Sequence, residues 1–137
     1  MTSDVIGTIV RDLLKSEIWF ADKPIWVPTD EIREEDEGVI VGVESMEEVV
    51  KGNHTWHAHV VIGYRQRWGD DEVCNQRWSA GEFGRAVIGA MREFKLFEGC
   101  RDGYAWRGLS AYFGSVQAQT EDSWLVYRME IDLFMQF

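Results

Sequence analysis

The C-terminal stretch of this 137-residue chain constrains its fold most, because apolar and other side chains alternate there without a break. The odd-numbered positions are all apolar or aromatic: Leu125, Tyr127, Met129, Ile131, Leu133, Met135 and Phe137. The even-numbered positions from 126 to 136 are largely polar. A period of two places successive side chains on opposite faces of a β-strand. The pattern therefore predicts an antiparallel strand that is covered on its odd-numbered face and open on the other.

The segment RWSAGEFGRAVIGAMREFKLFEG (77–99) predicts an amphipathic helix. Ser79 and Glu82 form a capping box at its start, and its final glycine suits a left-handed C-cap. Apolar residues recur at spacings of three and four: Phe83, Ala86, Val87, Ala90, Met91 and Phe94. Gly84 and Gly89 lower helix propensity, which is explained if the helix closely approaches a sheet. The expected partner is the apolar face of the C-terminal strand.

The other elements follow from periodicity and turn residues. A first helix, capped by Thr2 or Ser3, ends before Pro24. The remaining predicted strands are Ile25–Val27 (an edge strand at most), 38–46, His54–Arg65 and Leu109–Gln119. These elements predict one α+β domain over residues 1–137. Its order is α-β-β-α-β-β, with a four-stranded, mainly antiparallel sheet and two helices on one face.

Composition excludes several classes of protein. The net charge of −10 argues against a free-standing nucleic-acid binder, because phosphate neutralisation needs a basic surface. No run of eighteen apolar residues exists, and the N-terminal segment lacks the pattern of a signal peptide, so we expect a protein kept inside the cell without membrane attachment. Cys74 and Cys100 flank the central helix and are expected to be reduced thiols.

Three histidines in the segment HTWHAH, namely His54, His57 and His59, are the main candidates for chemistry. His57 and His59 lie two residues apart on a strand, so both imidazoles share a face at a spacing that suits a metal. Glu130 and Asp132 on another strand are conceivable further ligands. No third histidine shares that face, and motifs for nucleotide binding or serine hydrolysis are lacking. We therefore expect no metal, no cofactor and no catalysis.

Taken together, the elements resemble the tail-terminator and tail-completion (head–tail joining, minor tail) proteins of long-tailed bacteriophages and prophages. The resemblance is carried by the phrases PIWVP, HTWHAHVVIGYR, EFGRAVIGAMREF and DSWLVYRMEIDLFMQF, in that order. It implies a structural subunit, often a hexameric ring of identical chains, that closes the tail tube and contacts other tail and connector proteins. It also implies a virion protein that resides in the host cytoplasm before assembly, with no enzymatic activity and no cofactor.

Ring formation requires two different complementary surfaces on each subunit. The candidate surfaces are the open sheet face, with Val61, Val126 and Phe134, and the loop side, with Trp26, Trp68 and Trp106. A separate acidic segment contains Asp30, Glu31, Glu34, Glu35, Asp36 and Glu37. Buried uncompensated carboxylates are unfavourable, so we expect this segment to face solvent or the lumen of the ring, where it would repel DNA phosphates.

Two alternatives to the ring remain open. One is a small intracellular α+β domain that binds a ligand or acts as an enzyme, using the sheet face around His57 and His59. The other is a soluble accessory protein that acts through a heterologous partner. Oligomeric state distinguishes the ring from the small ligand-binding domain. A ring favours the tail protein, and a monomer or dimer with a ligand favours the small domain.

Overall fold

The computed structural model describes residues 2–31, 37–67 and 76–137, with the backbone alone for residues 76–79. Its helices are α1 (Ser3–Lys15) and α2 (Gln76–Met91), followed by a short 3-10 helix (Phe94–Leu96). Its strands are β1 (Ile25–Trp26), β2 (Gly38–Glu48), β3 (Thr55–Arg67), β4 (Glu98–Arg101), β5 (Tyr104–Glu121) and β6 (Trp124–Gln136). No helix within the described ranges combines the length and apolarity needed to span a bilayer.

The strands form one six-stranded sheet in the order β1-β2-β3-β6-β5-β4, which curls into a half-barrel. The prediction of a four-stranded sheet with the order α-β-β-α-β-β is therefore wrong. β1 is an edge strand, as expected, but it pairs in parallel with β2, which makes the sheet mixed. β4 was missed altogether, because Glu98 and Gly99 were assigned to the end of the central helix and the following RDGYAWRG was taken as turns.

A two-residue turn explains β4. Asp102 and Gly103 both have positive φ, at 51° and 82°, and they connect β4 to β5 as an antiparallel hairpin. Aspartate followed by glycine is the sequence that such a turn favours, since both central positions need positive φ. The glycine expected to cap the central helix, Gly99, lies instead in β4 opposite Trp106. A Cβ at Gly99 would lie 3.1 Å from the indole nitrogen, so close ring packing accounts for this glycine.

The central helix is also displaced from its prediction. α2 begins at Gln76, so Ser79 lies inside the helix and does not cap it. A Cβ at Gly84 would lie 2.7 Å from Val116 on β5, which confirms the predicted close approach to the sheet at this position. Gly89 instead faces the Glu17 carboxylate, beyond the end of α1.

The core lies between the two helices and one face of the sheet, called the inner face. Buried residues of α1, of α2 and of the strands form a single hydrophobic cluster. The predicted register of β6 is confirmed, because its odd-numbered residues from Leu125 to Met135 are buried in this cluster. From β3, Ala58, Val60 and Ile62 are buried beside them. The even-numbered side chains of β6 consequently lie on the opposite, outer face.

Candidate functional site

The outer face carries the even-numbered side chains of β6 and those that pair with them on β3, β2 and β5. The buried residues of the described helices belong to the cluster on the inner face, so no described helix shields the outer one. Side chains here are half-buried or exposed. Three zones follow one another along β6: an apolar hollow at Val126, a charged cluster around Asp132, and an aromatic group at Phe134.

A β-bulge in β2 builds part of the charged zone. Val43 pairs with Val60, but Ser45 pairs with His59, which leaves Glu44 as an extra residue. Because strand side chains alternate, an extra residue moves the following side chains to the other face. Beyond the bulge, Glu47 pairs with His57 and lies on the outer face.

Asp132 holds the two histidines of β3 in place. Its Oδ1 atom accepts hydrogen bonds from His57 Nε2 at 2.8 Å and from His59 Nδ1 at 2.9 Å. A carboxylate oxygen can only accept, so each imidazole must carry a proton on the nitrogen that faces Asp132. The tautomer of a neutral His57 or His59 is thereby fixed, and the other ring nitrogen of each is left with a lone pair.

Those remaining nitrogens face glutamates. His59 Nε2 lies 3.5 Å from Glu44 Oε2 and 3.5 Å from Glu130 Oε1, and His57 Nδ1 lies 3.6 Å from Glu47 Oε1. Arg128 Nη2 donates to Glu44 Oε1 at 3.0 Å and to Glu130 Oε1 at 3.3 Å. This central cluster, called the His59 cluster, comprises Glu44, His59, Arg128, Glu130 and Asp132.

The cluster changes the acidity of two of its members. The hydrogen bond to Asp132 raises the pKa of His59 above 6.5, although partial burial of the ring opposes this shift. The pKa of Asp132 is lowered below 3.8, first by the hydrogen bond from His59 and then by the one from His57. Both shifts favour a protonated His59 beside an ionised Asp132.

An aromatic group borders the charged cluster. The Phe134 ring stacks on His57, with centroids 4.7 Å apart and planes at 9°, and Tyr112 of β5 meets Phe134 edge-on at 5.9 Å. Tyr112 is 61% exposed, so this group lies at the surface. The predicted outward orientation of Phe134 is therefore observed.

On the other side of the cluster is a shallow hollow of about 250 Å³ with mainly apolar walls. Ile40, Val61 and Val126 line it, together with Gly42 and Gly63. Val61 and Val126 are half-buried by their neighbours within the sheet. Their predicted position on the open sheet face is correct.

Trp26 and Trp106, two of the three tryptophans predicted on the loop side, lie on strands β1 and β5, which are not neighbours in the sheet. Trp106 is only 9% exposed and stacks on Phe94 at 6.0 Å, so it belongs to the core and not to an exposed loop. Its position in the β4–β5 hairpin, which the sequence analysis missed, explains the difference. Trp26 is half-buried on edge strand β1, and Trp68 lies outside the described residues.

The acidic segment is described only at its ends. Asp30 is half-buried and has a local structural contact, because its Oδ2 atom accepts the backbone N–H of Val27 at 2.8 Å. Glu31 and Glu37 are exposed, and Glu37 accepts the backbone N–H of Arg67 at 3.0 Å. Three further candidates lie outside the described residues: Glu34, Glu35 and Asp36.

The two cysteines were expected to be reduced thiols. Cys100 is a free, exposed cysteine on β4, and Cys74 lies outside the described residues.

His57, His59, Glu130 and Asp132 were candidates from the sequence, but the glutamates of β2 were missed. The expected outward position of Glu130 and Asp132 follows from alternation alone. Alternation from Val41 and Val43 already directs Glu44 to the outer face, but Glu47 reaches that face only because of the bulge, which no residue pattern in VIVGVESM indicates. The structure also places Asp132 between the two histidines, a contact that spacing along the chain could not show.

Comparisons with known proteins concern the fold alone. No protein-family model and no curated protein matches the chain. Among solved structures 23 chains match, and one of them aligns with all of this chain and with 97% of its own length. Its TM-score is 0.57 and its sequence identity is 16%. Such a likeness shows that the curled sheet with two helices exists in another protein, and it carries no conclusion about activity.

Proposed function

We propose that this protein is a structural subunit of a long-tailed bacteriophage or prophage, which forms a ring of identical chains at the head–tail junction. The proposal combines the sequence resemblance with the open outer face of the sheet. It assigns no enzymatic activity and no sequence-specific binding of nucleic acid. The other partners would be tail and connector proteins, and the protein would occupy the virion after assembly in the host cytoplasm.

The observation that carries the proposal is the uncovered apolar hollow on the outer face. Ile40, Val61 and Val126 converge there from three adjacent strands, and no described helix covers them. A contiguous apolar surface with a polar border is typical of a site where another protein binds. The Arg128–Glu44 ion pair lies directly beside the hollow and provides such a border.

A closed ring also requires a second, different surface that fits the first. Edge strand β1, with the half-buried Trp26, is the described part of the predicted loop-side surface. It lies at the opposite end of the sheet from β4. The exposed Glu31 and Glu37 belong to the acidic segment, which in this arrangement faces solvent or the lumen of the ring.

Native mass spectrometry across a concentration series tests the ring. We expect one oligomer larger than a dimer to accumulate as the concentration of the purified protein rises. Val126→Asp should weaken assembly at least about tenfold, because it places a charge in the hollow that a partner must desolvate. Ile18→Asp is the matched control, since Ile18 is an apolar residue that is 86% exposed and lies after α1, outside the core cluster.

Two results would contradict this proposal. A protein that stays monomeric up to millimolar concentration does not form the ring by itself. Equal weakening of the oligomer by both variants would show that charge, and not the hollow, controls assembly. The small ligand-binding domain remains a second candidate, because the structure brings His57 and His59 together with carboxylates on the outer face. A monomer that binds a ligand there would favour it.

A further inference from the structure

The ring does not explain the arrangement of charges around His59. In the neutral tautomer that Asp132 selects, the lone pair of His59 Nε2 points towards two carboxylate oxygens, each 3.5 Å away. Three groups that can only accept a hydrogen bond then face one another, an unfavourable arrangement that either a proton on His59 Nε2 or a bound cation relieves. Arg128 does not fill this place, because no contact joins its guanidinium to His59.

The spacing of these atoms fits a metal ion. Nitrogen and oxygen ligands lie about 2.1 Å from Zn²⁺, so two ligands in a tetrahedral shell are about 3.4 Å apart. His59 Nε2 is 3.5 Å from each of the two glutamate oxygens, and all three atoms lie within 4.8 Å of one another. They can therefore bind one ion after small movements of exposed glutamate side chains.

The residues that hydrogen-bond to the three candidate ligands also suit a metal site. Asp132 accepts the Nδ1–H of His59, and a carboxylate in this position orients a metal-binding histidine and increases its basicity. Arg128 holds Glu44 by its Oε1 atom, which leaves Oε2 directed towards His59. The Oε1 atom of Glu130 accepts a hydrogen bond from Arg128 with one lone pair, and its second lone pair can bind a metal at the same time.

The balance of charge points the same way. Around His59 lie Glu44, Glu130 and Asp132, with Arg128 as the basic group paired to them. With His59 in its neutral, metal-binding form, three carboxylates against one guanidinium leave an excess of negative charge that a divalent cation would reduce. A nitrogen donor among the ligands favours Zn²⁺ over Mg²⁺, which prefers oxygen ligands only.

We propose that Glu44, His59 and Glu130 form a Zn²⁺-binding site on the outer face of the sheet, with Asp132 as the residue that orients His59. The protein then supplies three ligands from three adjacent strands, and water completes the coordination shell. The site does not depend on the ring, because every ligand comes from a single chain.

Isothermal titration of Zn²⁺ into the chelator-treated, full-length protein tests this site at neutral pH. We expect one ion per chain, with an affinity that excess Mg²⁺ does not reduce. His59→Ala and Glu130→Gln should each weaken binding at least about 100-fold, and Asp132→Asn should weaken it about 10–100-fold. His54→Asn is the control and should bind normally, because His54 is exposed just before β3 and asparagine tolerates its positive φ of 63°.

A second measurement separates this site from the cysteines. Co²⁺ in the same site should give visible d–d bands without the intense near-ultraviolet charge-transfer band that thiolate ligands produce. Circular dichroism should show that the variants, which alter surface side chains, stay folded. Absence of stoichiometric binding, a thiolate band, competition by Mg²⁺, or normal binding by folded His59→Ala would each overturn the proposal. None of these results depends on oligomeric state, so the ring proposal is tested separately.

Discussion

Leu133 offers a direct test of how the helices and the sheet are joined. Its side chain is fully buried in the core cluster, in the C-terminal third of β6. Its two cross-strand neighbours are both alanines, Ala58 on β3 and Ala111 on β5. Small neighbours make space for leucine in the wild-type protein, and they also cannot extend to fill the space if leucine is removed.

Replacing Leu133 by alanine should therefore leave a cavity that collapses poorly. Leu→Ala substitutions in cores cost about 2–5 kcal/mol, and the larger values occur where a cavity persists. We expect a decrease in the free energy of unfolding of about 3–5 kcal/mol for Leu133→Ala. For a domain of this size the melting temperature should fall by about 10–15 °C.

Urea unfolding, followed by tryptophan fluorescence, measures this change. The matched control is Val126→Ala on the same strand, which removes a half-buried side chain from the outer face and should cost less than about 1 kcal/mol. Both variants must be compared at low protein concentration, since oligomerisation would stabilise the folded chain. A loss of less than 1 kcal/mol for Leu133→Ala, or equal losses for the two variants, would refute the assigned packing.

Two further predictions concern backbone packing and pH. Gly108→Ala should prevent stable folding, because the added Cβ would collide with the backbone carbonyl of Phe94. Gly42→Ala should change the free energy of unfolding by less than about 1 kcal/mol, because nothing lies within 4 Å of a Cβ at that position. Thermal unfolding of both variants measures the difference. With a chelator present, the stability difference between wild type and His59→Gln should be greatest between about pH 4 and pH 6.5, where the ion pair with Asp132 is complete.

The signs of the two pKa shifts define that pH range. The pKa of His59 is raised on folding, so its contribution is fully present below the ordinary value of 6.5 and is lost as pH rises through the raised value. The pKa of Asp132 is lowered, so its contribution is present above the ordinary value of 3.8 and is lost as pH falls through the lowered value. A difference that is independent of pH, or that increases above pH 8, would contradict the ion pair. Equal melting of Gly108→Ala and Gly42→Ala would contradict the assigned packing at Phe94.

Alternation along a strand was the most reliable guide from sequence to structure. It correctly placed Leu133 inside and Phe134 outside, because each position on a half-covered strand is strongly selected for one environment. The same reasoning failed after Val43, where one extra residue reverses the faces of β2 without changing the composition of the strand. Glu47 was therefore not predicted beside His57.

The strand β4 was missed for a different reason. Its sequence, EGCR, contains no apolar alternation, and the strand forms because Asp102 and Gly103 turn the chain back onto Tyr104–Arg107. The turn residues were visible in the sequence, but their flanking residues did not look like strands. Long-range contacts such as the one between Asp132 and His57 depend on strand order, which local patterns do not determine.

The shortness of β4 has a consequence for solubility. β4 pairs with β5 only over Tyr104–Arg107, so from residue 110 onwards β5 has a described strand partner, β6, on one side only. An exposed strand edge of this length is a template for aggregation with other chains. Two irregularities interrupt it, between Gly108 and Ser110 and between Phe113 and Val116, and bulges of this kind bend and twist the strand. A straight incoming strand could therefore pair only with short sections of β5, which limits uncontrolled polymerisation through this edge.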